Sequence, residues 1–206
     1  MPALVLVTPA TKEPVSVEEV KRALNLPLDY AEDDALLEQG ISAARELGES
    51  LTSAAWVESV WELRLPGFPA GAIRDLGRHP VQSVQSVAYL DPDGNLQTLN
   101  EGADYEVSIG GRTKICDIWP AYGTRWPETR PGPQSVRIQF TAGWPLDGDG
   151  NPTTPQNLKW WLYRMVGAFY EQREALVVGG GGLTVAELPR AHLDGLLDPY
   201  TVLRSA

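Results

Sequence analysis

At 206 residues, with 43 % apolar side chains, the chain is long enough for one large domain or one domain plus an extension, and it can bury a sizeable core. A net charge of −10, with 4 basic against 10 acidic side chains in residues 1–54 and no long basic run anywhere, argues against a protein that grips nucleic-acid phosphates. A single cysteine, Cys116, excludes an intrachain disulfide, and no stretch reaches the roughly 18 apolar residues of a membrane helix, so no membrane association is expected.

The N-terminal MPALVLVTPATKEP lacks the basic start and long apolar run of a signal peptide, so synthesis in the cytoplasm is expected. Residues 1–15 read as extended, with prolines at 2, 9 and 14. Ser16-Val-Glu-Glu19 is a capping box, in which each side chain can accept from the other residue's backbone N–H. It starts a short helix that Leu26-Pro27 closes. A second helix starts near Asp33 and Asp34, whose charges suit a helix N-terminus. Leu37, Ile41, Ala44, Leu47 and Leu51 recur at three- and four-residue steps and predict its apolar face; Glu38, Arg45, Glu46 and Glu49 form the other.

From residue 55 the pattern alternates. WVESVWELRL (56–65), VQSVQSVAYL (81–90), LQTL after the Asp91-Pro-Asp-Gly94 turn, DYEVSI (104–109) and SVRIQFTA (135–142) predict five to seven short antiparallel strands. Residues 119–133, with four prolines, read as an ordered but irregular loop. Helical periodicity returns after Thr154-Pro155, an N-cap followed by a first-turn proline. Leu158, Trp161, Leu162, Met165 and Phe169 make its stripe, with Trp160, Tyr163 and Tyr170 to the side. A helix this apolar must be buried on more than one side, within the subunit or against a neighbour. Trp160, Tyr163 and Tyr170 are therefore candidate subunit-interface residues. The expected fold is α+β: a small helical bundle of two N-terminal helices and the long C-terminal one, an inserted antiparallel β-rich region, and a flexible C-terminal segment. The boundaries are 1–54 for the extended arm and helix pair, 55–153 for the β-rich region, 154–178 for the long helix, and 179–206 for the rest.

The chemistry is sparse. Gly179, Gly180, Gly181 and Gly182 follow a helix rather than precede one, and Leu183-Thr184 brings no lysine, so the run fails the phosphate-loop patterns and reads as a hinge. Asp147-Gly-Asp149-Gly-Asn151 begins like an EF-hand loop, but Pro152 and Leu158 stand at its sixth and twelfth positions, where glycine and glutamate are needed. His79 and His192 have no ligand partner at metal spacing, no G-x-S-x-G elbow exists, and Cys116 lies in the strand-like KICDIW. No catalytic residue, metal or cofactor is expected. Seven tryptophans leave open a carbohydrate-binding β-domain, which would need Trp119, Trp126 and Trp144 exposed in one groove.

In order and spacing, the segments resemble the head–tail connector proteins, also called adaptor or head-completion proteins, of long-tailed bacteriophages and gene-transfer particles. KEPVSVEEVKRALNL with EDDALLEQGISAARELGESLT is similar to the opening helix pair of that family. HPVQSVQSVAYLDPDGNLQTL with DYEV is similar to its central hairpin. VRIQFTAGW followed by the Pro155 helix ending AFYEQRE is its most distinctive run, and LPRAHLDGLLDPY resembles its closing segment. The resemblance covers about residues 12–201; a long glycine linker and Trp144, where tyrosine is more usual, depart from it. It implies a structural role without catalysis: a ring, commonly of twelve copies, beneath the portal protein of a virion neck. Such a ring extends a DNA channel without binding DNA specifically and joins the next connector or tail-terminator protein. It also implies that the C-terminal segment docks on the portal, which points to Leu188, Pro189, Leu193, Leu196, Leu197, Pro199 and Tyr200. Another neck or tail-completion part is the alternative.

Overall fold

The capping box forms as its sequence predicts. The Ser16 hydroxyl accepts from the Glu19 N–H at 3.1 Å and the Glu19 carboxylate accepts from the Ser16 N–H at 2.7 Å. It opens α1 (Val17–Ala23), and α2 (Asp34–Thr52) and α3 (Gln156–Ala175) complete the helices. A computed structural model of the chain describes residues 2–111, 113–175 and 195–202, without the side chains of 172–175. Among the described residues no helix is long and apolar enough to cross a membrane. The chain divides into two units, residues 12–52 with 146–206 and residues 1–11 with 53–145.

In the helical unit, Val15, Val20, Leu37, Ile41, Leu158, Trp161, Leu162 and Val166 are buried. α2 and α3 run antiparallel: the Tyr170 hydroxyl donates to the Asp33 carboxylate at 2.6 Å, and Val166 lies beside Gly40. Lys21 is buried with its ammonium 2.5 Å from Asp34, so a charge inside the unit is paired. The Arg45 guanidinium holds Glu13 at 2.7 and 3.2 Å and Glu49 at 3.2 Å, fastening the stretch before α1 to α2. Burial lowers its pKa, but Glu13 and Glu49 more than offset this, so it is raised.

The predicted helix faces need correcting in two places. On α2 the buried positions are Leu37, Ile41, Ala44, Gly48 and Thr52, while Leu47 and Leu51 are 41 % and 51 % exposed. The buried stripe continues from Ala44 by four-residue steps through residues too small to be read as apolar signals. Leu47 and Leu51 lie roughly 100° behind it, one residue's rotation. On α3 the inward positions are Leu158, Trp161, Leu162 and Val166, and Phe169 is 40 % exposed.

The second unit holds two antiparallel sheets. β1 (Ala3–Thr8), β2 (Ser59–Leu65), β8 (Val136–Ala142), β4 (Val81–Leu90) and β5 (Leu96–Leu99) lie in the spatial order β1-β2-β8-β4-β5. β3 (Ile73–Arg74), β7 (Ile115–Pro120) and β6 (Tyr105–Gly110) form the other, ordered β3-β7-β6. The extended N-terminus is thus an edge strand on β2. The repeat VQSVQS in β4 has a structural meaning. Its register against β8 slips twice, at Gln82 and at Gln85. The amide of Gln82 donates to the carbonyl of Gly143, just after β8, at 2.8 Å and that of Gln85 to the Thr141 hydroxyl in β8 at 2.9 Å, so each bulge residue is tied across by its side chain. Leu63, Val81, Val87, Tyr105, Cys116, Ile118, Val136, Ile138 and Phe140 form the core of this unit.

Candidate assembly surfaces

The polar candidates are engaged in local structure. Asp147 accepts from the backbone N–H groups of Asn151 at 2.7 Å and Asp149 at 3.0 Å, and these bonds, that of Asn151 foremost, hold its carboxyl below the usual range. Its charge therefore closes a turn. Asp91 does the same in the β4–β5 hairpin, accepting from Asn95 N–H at 2.8 Å and Gln97 Nε2 at 3.1 Å. His79 is buried before Pro80, to which it is joined by a cis peptide bond. Cys116 is buried in β7, and burial pushes its thiol up to about 12. Among the described residues no group of three His, Cys, Asp or Glu side chains is placed to hold a metal ion. His192 lies outside the described residues.

Four of the proposed docking residues are described. Leu197 is buried, followed by a 3-10 turn (Asp198–Tyr200), and the Val202 N–H donates to the Thr52 carbonyl at 3.4 Å, at the end of α2. Leu196, Pro199 and Tyr200 are half-buried. Leu188, Pro189, Leu193 and the hinge glycines Gly179, Gly180, Gly181 and Gly182 lie outside the described residues. Of the three interface candidates, Trp160 is 54 % exposed and meets Tyr163 edge-on with centroids 6.1 Å apart. Tyr163 is half-buried, and burial, then Glu19, raises its hydroxyl pKa. Tyr170 turns inward to Asp33. The three therefore do not form one outward patch.

Two surfaces were not anticipated from the sequence. The first is a groove of about 220 Å³ between α2 and α3, floored and flanked by Leu36, Leu37, Gly40, Ala43, Val166 and Phe169. Farther along α2, Leu47 and Leu51 are exposed as well. No helical-period argument predicts it, because α2 carries two apolar stripes and periodicity alone does not say which is covered.

The second lies after β7. Ala121 to Thr124 form a tight turn: the Thr124 N–H and hydroxyl both donate to the Ala121 carbonyl, at 2.9 and 2.7 Å, and Gly123 takes φ +79°. That φ at the third position of the turn suits glycine. Ala121 is buried and its N–H donates to the Asp104 carbonyl at 3.0 Å, so the turn is anchored to β6 and β7. Its tip, Tyr122, is 99 % exposed. Nearby, the Arg74 guanidinium lies over Trp119, and Arg125 is exposed. A groove of about 650 Å³ beside the turn includes Phe68 stacked on Trp126 with centroids 4.6 Å apart. Trp126 lines this groove, while Trp119 and Trp144 do not, so the three tryptophans a sugar platform would need are not gathered in it.

No protein-family model matches the sequence, and no curated protein does. Solved structures do match in fold. A chain in the neck of an empty gene transfer agent particle, computed with C6 symmetry, superposes with a TM-score of 0.73 at 21 % identity, over 99 % of this chain and 97 % of that one. A chain of the virion of the native particle gives 0.71 at 21 % identity, over 98 % and 97 %. The neck of the native particle computed with C12 symmetry gives 0.70 at 20 % identity, over 99 % and 97 %. The fold is thus that of a particle neck component along nearly its whole length.

Proposed function

We infer that this chain is a structural connector of a phage-like particle: it forms a ring under a portal, extends the DNA channel and joins head to tail. The observation that carries this reading is the whole-chain likeness to chains of particle necks, covering 99 % of this chain at a TM-score of 0.73. Those necks were computed with C6 and C12 symmetry, in keeping with a ring of twelve copies. The helical bundle supplies the packing spine, and Gly179–Gly182 the slack for a C-terminal segment that reaches the portal. Leu188, Pro189 and Leu193 are its first anchors. Leu196, Pro199 and Tyr200 add partly open surface, and buried Leu197 fastens the far end to its own subunit. The acidic balance suits a channel through which DNA slides without sticking. The tail-side partner is a further connector or a tail terminator, and the protein, made in a host cytoplasm, ends in the virion neck.

The test is assembly of particles from a chain lacking residues 183–206. Loss of attachment to portal-bearing capsids, with the truncated protein still folded, is expected; normal attachment would overturn the docking role. A particle reconstruction without this chain in the neck would overturn the connector reading itself.

A further inference from the structure

The two unanticipated surfaces are complementary. One is a single aromatic side chain held wholly in solvent by an anchored turn, flanked by exposed Arg125 and by the Arg74–Trp119 pair. Tyrosine, tryptophan and arginine are the residue types that dominate binding hot spots. The other is an empty apolar groove. A void of about 150 Å³ accepts a benzene ring, so the 220 Å³ of the α2–α3 groove has room for a phenol. Charge agrees as well. Glu46, three residues after Ala43 on α2, is exposed, and Asp33 is held at the groove's end by Tyr170. The groove thus has an acidic rim, and the turn has cationic flanks.

A projection and a hollow on different parts of one chain cannot satisfy each other in a two-fold pair through one patch. They make a head-to-tail contact, which repeats and closes into a ring when the rotation allows. We propose that neighbouring copies of this chain join through a heterologous contact in which the Tyr122 turn of one copy seats in the α2–α3 groove of the next. The ring setting of this contact rests on the connector reading; the contact itself rests on the two surfaces. Gln39, on the groove wall, is placed to meet the seated side chain.

The experiment uses the full-length chain with Tyr122 intact, carrying Arg125→Cys beside the turn and Gln39→Cys, with a short bismaleimide, at up to about 1 mM protein so that weak contacts are captured. Native Cys116 is buried, with its thiol raised to about 12, and does not compete. The expected result is a ladder of covalent multimers from the double variant, dimers only from a mixture of the two single variants, and monomers from each single variant alone. Adding Ala43→Trp, which fills the groove from an exposed position, cuts the ladder roughly tenfold, the effect of losing one hot-spot contact. Circular dichroism checks that each variant is folded. Three results overturn the proposal: dimers from Arg125→Cys alone, which mean an isologous contact; an equal ladder when exposed Leu96→Cys replaces Gln39→Cys or when Tyr122→Ala is added; or no ladder at all. A ladder from a chain that proves absent from particle necks leaves the contact standing and removes the connector reading. Presence in the neck without a ladder does the reverse.

Discussion

Gly143→Ala is the sharpest test of the fold, because the structure predicts a large cost from a single methyl group. Gly143 follows β8 with φ +108°, a region L side chains rarely adopt. A Cβ there would stand 2.2 Å from the Val57 carbonyl oxygen and 2.8 Å from the Glu58 nitrogen, both backbone atoms that no rotamer change can move aside. The strain of the dihedral alone costs about 1–3 kcal/mol. Relieving the clash requires residues 57–58 and 143–144 to part. That endangers the Glu58 N–H to Trp144 carbonyl bond (3.0 Å) and the Gly143 N–H to Pro80 carbonyl bond (2.8 Å), each worth about 1 kcal/mol net. The expected loss is about 3–5 kcal/mol, a large part of the 5–15 kcal/mol typical of a folded domain. Urea unfolding followed by tryptophan fluorescence measures it. Gly123→Ala is the control: its φ is +79° but nothing lies within 4 Å of an added Cβ, so only the dihedral term, about 1 kcal/mol, applies. If the two substitutions cost the same within about 1 kcal/mol, the close-approach argument is wrong.

Lys21→Met keeps the buried stem but removes the ammonium beside half-exposed Asp34, and is expected to destabilise by about 1–2 kcal/mol in urea titration; no loss would mean the pair contributes nothing. Arg45→Gln and Glu13→Gln form a double-mutant cycle whose coupling energy is expected at about 0.5–1.5 kcal/mol, and a coupling near zero would deny that Arg45 fastens the chain before α1. Cys116 is expected to resist a thiol reagent at pH 8 while folded and to react at once in denaturing urea. Because its folded pKa is raised from 9.0 to about 12, its contribution to stability is complete below pH 9 and is lost as pH rises toward 12; stability that increased over that window would contradict its burial.

The sequence made local chemistry legible and long-range pairing much less so. Ser16 and Glu19 carry their cap within four residues, so the helix start could be read directly. The alternation of 81–90 and 135–142 marked strands, because side chains on a pleat change face at every step. It did not place β8 between β2 and β4, since no local pattern encodes which strand lies beside which. The two-residue β3 offers too short a run for any period. Nothing local in VQSVQS marks its glutamines; only the register against β8 shows them as bulge residues whose amides bond across to Gly143 and Thr141.

The misread face of α2 bears most on function. Leu47 and Leu51 satisfy helical spacing with Ala44, so periodicity grouped them with the core. The structure instead buries Gly48 and Thr52 and leaves those leucines exposed, as it does Leu36 and Phe169. Fully burying such a side chain contributes about 1.5–3 kcal/mol. At their present exposure Leu36 and Phe169, which line the groove, retain roughly 1 kcal/mol each, and Tyr122, wholly exposed, about 2 kcal/mol more. Joining two copies costs an estimated 4–15 kcal/mol in lost freedom. One knob-in-groove contact of this size therefore barely offsets its own cost, and a pair of free copies is held weakly. In a ring each added copy makes the same contact on both of its faces, and a template removes part of the cost in advance. On the connector reading proposed above, a contact too weak to hold a dimer in solution would still hold a closed ring on a portal, and the ring would not assemble before its template exists.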